Sequence, residues 1–274
     1  MSTPTILITG TSSGLGQKTA LYFAEQGWNV AATMRTPERD TVLRGHDRIA
    51  VIPLDVTDVE SVRAGVAAAI ERFGRIDVVV NNAGVGAYGP LELADEATID
   101  WQFAVNVRGP INVIRAMLPH FRANRAGTFV NVSSFMGVTT AVPTGSLYNM
   151  SKFALEGLTE GLSYELRPFN IKLRLVESGG FKGNSFLDNM VFSRDGDSGD
   201  YAAVIENVAE RFAAVDQEKL DDPQRIIDAI YAAATREDAS FRTVIGADGN
   251  ALMAMRNSMP IEQYLDTIAG QFGL

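Results

Sequence analysis

Short apolar runs recur along the chain at intervals that leave room for helices between them. Residues 5–9 (TILIT), 29–33, 49–54, 76–80, 128–132, 171–176 and 241–245 are of strand length and rich in Val, Ile and Leu, with little polar alternation. Strands buried on both faces have this pattern. The intervening stretches repeat apolar residues at helical spacing. Residues 15–26 carry Leu15, Ala20, Leu21, Phe23 and Ala24, and Gly27 closes them. Asp58 is placed to cap a helix that runs to Phe73 and stops at Gly74. Further helices are predicted over 96–124, over 146–167 with Pro168 as the stop, and over 222–235 with Pro223 in the first turn. The tail to Leu274 also reads as helical. Strands alternating with helices predict the α/β class: a Rossmann-type doubly wound parallel sheet of about seven strands, covered by helices on both faces.

The alternation weakens between about 180 and 222, where Gly, Asp and Ser stretches flank one helical piece at about 201–215. This segment is expected to be a lid-like insertion. No repeat or linker interrupts the chain, so residues 1–274 are expected to form a single dinucleotide-binding and catalytic domain.

Composition narrows the chemistry. The net charge of −9 disfavours nucleic acid and anionic membranes as partners. The chain has no cysteine, which removes disulfides, thiolate nucleophiles and zinc–cysteine sites, and no metal site is expected. The first residues lack the pattern of a signal peptide, and no apolar stretch approaches the roughly 20 residues of a membrane helix. The expected location is cytoplasmic.

The segment Thr9-Gly10-Thr11-Ser12-Ser13-Gly14-Leu15-Gly16 follows a strand and opens a helix. Gly10 permits the tight turn, Gly14 lets the backbone approach a pyrophosphate, and Gly16 allows close packing of helix on strand. The helix start offers free N–H groups and positive potential to phosphates. At the end of the second strand an NAD-binding chain usually has an acid. Here Met34 and Arg35 stand instead, and Arg can grip a 2′-phosphate through paired donors. NADP(H) is therefore favoured over NAD(H). Asp55 would face the adenine or serve as a turn residue. Asn81-Asn82-Ala83-Gly84 ends the fourth strand with side chains small enough for a cofactor to lie against the backbone. The expected cofactor contacts are Gly10, Ser12, Ser13, Gly14, Leu15, Gly16, Arg35, Asp55, Val56, Asn82, Ala83, Gly84, Tyr148, Lys152 and Gly179.

Tyr148 and Lys152 are four residues apart and share a helix face. A free phenol titrates near pH 10, and a nearby ammonium would lower that value and suit it to proton transfer. Ser134, at the end of the fifth strand, is placed to polarise a substrate oxygen. Asn106 falls within the long 96–124 helix, where its side chain or a displaced backbone group could hold a water leading to Lys152.

These pieces, in this order, resemble the short-chain dehydrogenase/reductase family, NADP-preferring type, over nearly the whole chain. The resemblance implies a catalytic tetrad of Asn106, Ser134, Tyr148 and Lys152. Tyr148 would pass a proton to a carbonyl oxygen while the cofactor delivers hydride to the carbon. Lys152 would also bind the nicotinamide ribose. The resemblance further implies a homodimer or homotetramer paired through the two long helices.

Two departures stand out. The segment from Ser134 to Tyr148 is about one residue longer than usual, which makes Ser133 a minor alternative. After the sixth strand, Ser178 replaces the usual proline and Gly183 stands where a threonine is expected, so a looser loop with weaker anchoring of the nicotinamide is expected, for which Lys182, Asn184 or Ser185 could compensate. Tyr88, Phe135, Met136, Val138 and Val142, with Phe186, Leu187 and Met190 from the insertion, are the candidate pocket lining. The expected activity is carbonyl reduction or alcohol oxidation on a ketone or secondary alcohol of moderate, largely apolar character. The alternatives are a non-catalytic NADP-binding scaffold or sensor, or a family member with other redox or lyase chemistry.

Overall fold

The computed structural model describes residues 3–183, 189–193, 199–214, 216 and 220–274. Its strands are β1 (Thr5–Thr9), β2 (Asn29–Met34), β3 (Ile49–Pro53), β4 (Val78–Asn81), β5 (Ala87–Tyr88), β6 (Gly127–Ser134), β7 (Ile171–Ser178), β8 (Val191–Phe192) and β9 (Arg242–Val244). Seven of them form one sheet in the order β3-β2-β1-β4-β6-β7-β9, and every pairing in it is parallel. The expected Rossmann-type doubly wound α/β fold is therefore present.

The helices are α1 (Gly14–Glu25), α2 (Val59–Phe73), α3 (Glu96–Phe103), α4 (Gly109–Asn124), α5 (Ser146–Leu166), α6 (Ala202–Ala213), α7 (Pro223–Thr235), α8 (Ala247–Ser258) and α9 (Ile261–Gln271). Alternate residues of each strand serve opposite layers. Ile6, Ile8, Val30, Val130 and Val176 pack with Phe23 of α1 and Ile226 and Ile230 of α7. Leu7, Ala31, Val79, Phe129 and Leu173 pack with Val62 and Val66 of α2 and with Met117 and Phe121 of α4. This two-sided burial explains the strands' unbroken apolar runs. Each buried Val, Leu or Ile contributes about 1.5–3 kcal/mol.

Strand order reverses between β1 and β4, which opens a crevice beyond their carboxyl ends. Two features were not foreseen, while the helical tail was. β5 and β8 form a separate two-stranded parallel ladder that ties the start of the insertion to the chain after β4. The predicted 96–124 helix is two helices, α3 and α4, joined by a π-helical turn at Ala104–Arg108. The tail folds as the pair α8 and α9. The chain after β7 meets the chain before α7, where Phe181 bridges Asp221 and the Lys182 N–H donates to the Asp221 carbonyl at 2.9 Å. Among the described residues no helix is long and apolar enough to cross a membrane.

Candidate active site

The glycine turn closes as the sequence requires. Gly10 has φ +70° and its Cα faces Ala83, so a side chain there would be strained and crowded. A Cβ on Gly16 would strike the Gly10 carbonyl and the Asn82 side chain. Asn82 Nδ2 donates to the carbonyls of Thr9 (2.9 Å) and Gly10 (3.1 Å), and the Thr9 hydroxyl accepts from the N–H groups of Asn82 and Ala83. This lacing fixes the β1 and β4 ends against each other. Ser13 caps α1 without a side-chain bond, which leaves the first-turn N–H groups available to an anion. Arg35 lies exposed directly after β2. A bare glycine cradle and open helix donors fit a nicotinamide dinucleotide, with the Arg35 guanidinium beyond the end of β2.

Asp55 uses its Oδ1 on the N–H (2.9 Å) and hydroxyl (2.8 Å) of Thr57, so it shapes its own turn. Val56 packs under Gly109, and its carbonyl accepts from Asn112 Nδ2 at 3.0 Å. Gly179, beyond β7, lies over the Phe135 ring. Gly84 lies beside both Asn106 and Lys152.

At the other end of the crevice Ser134, Tyr148, Lys152 and Asn106 come together. The Tyr148 phenol shares a hydrogen bond with Ser134. Ser134 is also held by the Met136 N–H, which donates to its hydroxyl at 3.2 Å. Ser133 lies beside Glu156, whereas Ser134 is the serine that shares a hydrogen bond with Tyr148. Lys152 Nζ donates to the Val132 carbonyl at 3.0 Å and sits 5.8 Å from the Tyr148 ring centre. The Asn106 side chain is fully engaged. Its Nδ2 donates to the Val85 carbonyl (2.9 Å) and Ser151 Oγ (3.1 Å), and its Oδ1 accepts from the Val85 N–H (2.9 Å). The π turn at Ala104–Arg108 places Asn106 at a break in the regular helical backbone.

One expectation fails. Lys152 does not bring the phenol down: burial pushes Tyr148 up to about 12, outweighing the Ser134 hydrogen bond that lowers it. Tyr148 is therefore a neutral phenol across the physiological range. Burial also pushes Lys152 down, to about 8, against the opposing pull of Glu156.

An apolar cluster surrounds Tyr148. Tyr88, Met136 and Ala141 belong to it, with Phe135, Val142 and Met190 at its edge. Val138 is not in it, and Asn184, Ser185, Phe186 and Leu187 lie outside the described residues. Sequence reasoning missed the tail's share: Leu252, Met255, Met259, Tyr264, Ile268 and Phe272 complete the cluster. The spacing of Leu252, Met255 and Met259 carried the signal, one apolar face of a helix. His120 is structural, its Nε2 accepting from the Ile76 N–H at 3.1 Å.

Comparison with known proteins agrees with this geometry. A "3-ketodihydrosphingosine reductase" of Bacteroides thetaiotaomicron is 37% identical over 256 residues, 92% of this chain and 91% of the relative. The crystal structure of a short-chain dehydrogenase from Streptomyces avermitilis superposes with a TM-score of 0.82 at 33% identity, covering 100% of this chain and 96% of that one. ElxO with NADP bound superposes with a TM-score of 0.75 at 26% identity, covering 91% and 99%. Residues 4–190 match the family model described as short chain dehydrogenase, and the chain belongs to that family of oxidoreductases.

Proposed function

We propose that the protein uses NADP(H) to reduce a ketone of moderate size and largely apolar character, or to oxidise the matching secondary alcohol. The observation that carries this reading is the convergence of Ser134, Tyr148 and Lys152 against an apolar, methionine-bearing wall. Methionines adapt to irregular apolar shapes, which suits a flexible hydrocarbon substituent.

When bound, NADP(H) supplies or accepts the hydride. Ser134 and Tyr148 hold the carbonyl oxygen between two hydroxyls. As charge builds on that oxygen, the neutral Tyr148 phenol gives up its proton, and the Lys152 ammonium stabilises the phenolate left behind. Asn106 keeps the π turn in register through Val85 and Ser151, so that the turn's carbonyl can hold a water beside Lys152. Arg35 reads the 2′-phosphate, in keeping with the NADP bound by ElxO. The relative named for 3-ketodihydrosphingosine supports a ketone as substrate. The insertion serves as a lid over a single catalytic domain, and a second copy pairs through the outer faces of α4 and α5.

The test is NADPH oxidation against aliphatic, aryl and cyclic ketones, with 3-ketodihydrosphingosine included. Wild-type turnover is expected with NADPH. Tyr148→Phe should lower turnover by on the order of 10²–10⁴-fold while leaving NADPH binding intact. Wild-type activity in Tyr148→Phe would end this reading.

A further inference from the structure

Behind Lys152 lies a group of buried charges that the chemistry above does not use. Glu156 follows Lys152 by one turn of α5 and is 5% exposed. Glu177, on β7, is completely buried. Arg242, on the edge strand β9, reaches both: its Nη2 lies 2.9 Å from Glu156 Oε2 and its Nε 2.6 Å from Glu177 Oε1. β6–β7 pairing sets Ser133 opposite Glu177. Ser133 Oγ and Glu156 Cγ would each lie 2.9 Å from a Cβ on Gly137, so the missing side chain there is what admits the carboxyl. The groups facing Glu156 are thus Lys152 from its own helix, Ser133 from β6, Glu177 from β7 and Arg242 from β9.

Such a cluster is poorly explained by stability. Apolar residues of like volume would usually serve as well or better, because burying ions costs several kcal/mol each. Its place next to Lys152 gives it another use. Lys152 is nine-tenths buried, and the carboxylate beside it is that of Glu156.

We propose that Glu156, clamped by Arg242, is a positioning residue for Lys152, its carboxylate keeping the lysine in the ammonium form during turnover. The inference rests on the reading of Tyr148 and Lys152 as the reacting pair. Two carboxyls this close in a buried site disfavour double ionisation, and Arg242 offsets that only in part. Glu177, the more deeply buried, holds the proton and is pushed up to about 8 by burial and by Glu156. Burial raises Glu156 as well, but Ser133, Arg242 and Lys152 all oppose that rise, so of the two carboxyls Glu156 is the one that carries the charge, one helix turn from Lys152.

The substitutions therefore differ in sign. Glu156→Gln removes the counter-charge and should bring the loss of the ammonium about one pH unit lower. Glu156→Asp, which keeps the charge but withdraws it, should shift it the same way by less. Glu177→Gln imitates the protonated acid and should leave the transition in place or raise it. The experiment measures kcat/KM for the best ketone at saturating NADPH across neutral to alkaline pH. In parallel, NADPH binding is followed by fluorescence over the same range. The expected result is an alkaline limb displaced in both readouts for Glu156→Gln, part-way for Glu156→Asp, and not displaced downward for Glu177→Gln. Superimposable profiles for all four proteins would overturn the proposal. So would an equal downward shift in Glu177→Gln, which would point to packing rather than charge. If the wild type turned over no ketone, the functional reading would fail, while the binding profiles would still decide the role of Glu156.

Discussion

Tyr88 stacks on Tyr148, with ring centroids 5.5 Å apart and planes 26° from parallel. Phe212 of α6 meets Tyr88 edge-on at 6.3 Å. Tyr88 therefore links α6 to the candidate proton donor. Burial and the neighbouring Tyr148 push the Tyr88 phenol well above its usual value, so it stays neutral and acts through its ring. Aromatic contacts of this kind are worth about 0.5–1.5 kcal/mol beyond the area they bury. Tyr88→Ala is expected to lower kcat/KM about tenfold by freeing the Tyr148 ring, and Tyr88→Phe to stay within about twofold. Steady-state kinetics on both variants checks this. Equal losses would show that the hydroxyl, not the stack, is what counts.

Arg35 is exposed, and its role depends on a partner outside the protein. A guanidinium on a 2′-phosphate is a charge-assisted contact worth about 1.5–3 kcal/mol. Arg35→Asp replaces it with repulsion. The Kd for NADPH should rise by about 10- to 100-fold while that for NADH changes by less than about threefold. Titration of both cofactors by fluorescence is the measurement. Parallel changes in the two affinities would remove Arg35 as the phosphate reader.

The fold and much of the site were legible because the signals were local. The glycine turn, Asn81–Asn82 and the Tyr148/Lys152 spacing each announce a short-range geometry that the sheet then brings together. The π turn at Ala104–Arg108 was hidden, because no residue type enforces it; it is held by tertiary bonds from Asn106 to Val85 and Ser151. The Glu156–Arg242–Glu177 cluster was equally invisible, since its members are 21 and 65 residues apart in sequence and meet only when β7 pairs with β9 and α5 packs on the sheet. The direction of the Tyr148 shift was misread because spacing reveals the nearby lysine but not the depth of burial.

The outer face of α5 carries an uncovered apolar stripe. Met150, Phe153 and Tyr164 are 45%, 44% and 73% exposed, and the space above Gly157 and Gly161 between them is open. Phe103, just before the π turn, is likewise exposed. Flat, small-residue helix faces of this kind suit isologous pairing. The wild type is expected to sediment as a dimer or tetramer, and Phe153→Glu to weaken the pairing by about 30-fold or more. A monomeric wild type would refute the pairing outright.

Glu177 and Lys152 give stability opposite dependences on pH. Glu177 titrates at about 8 in the folded protein against an ordinary 4.5. Between those values the folded protein keeps a proton that the unfolded chain has released. Its contribution is fully present below 4.5 and is lost as pH rises through about 8. Lys152 titrates at about 8 when folded against an ordinary 10.5, so here the unfolded chain holds the extra proton, and stability is regained as pH rises through that interval. Urea unfolding across the range should show a decline of roughly 2–4 kcal/mol toward pH 8, then a partial recovery. Glu177→Gln has no proton to lose, so it should flatten the decline and keep the recovery. A decline as steep in Glu177→Gln as in the wild type would assign the lost proton to another group.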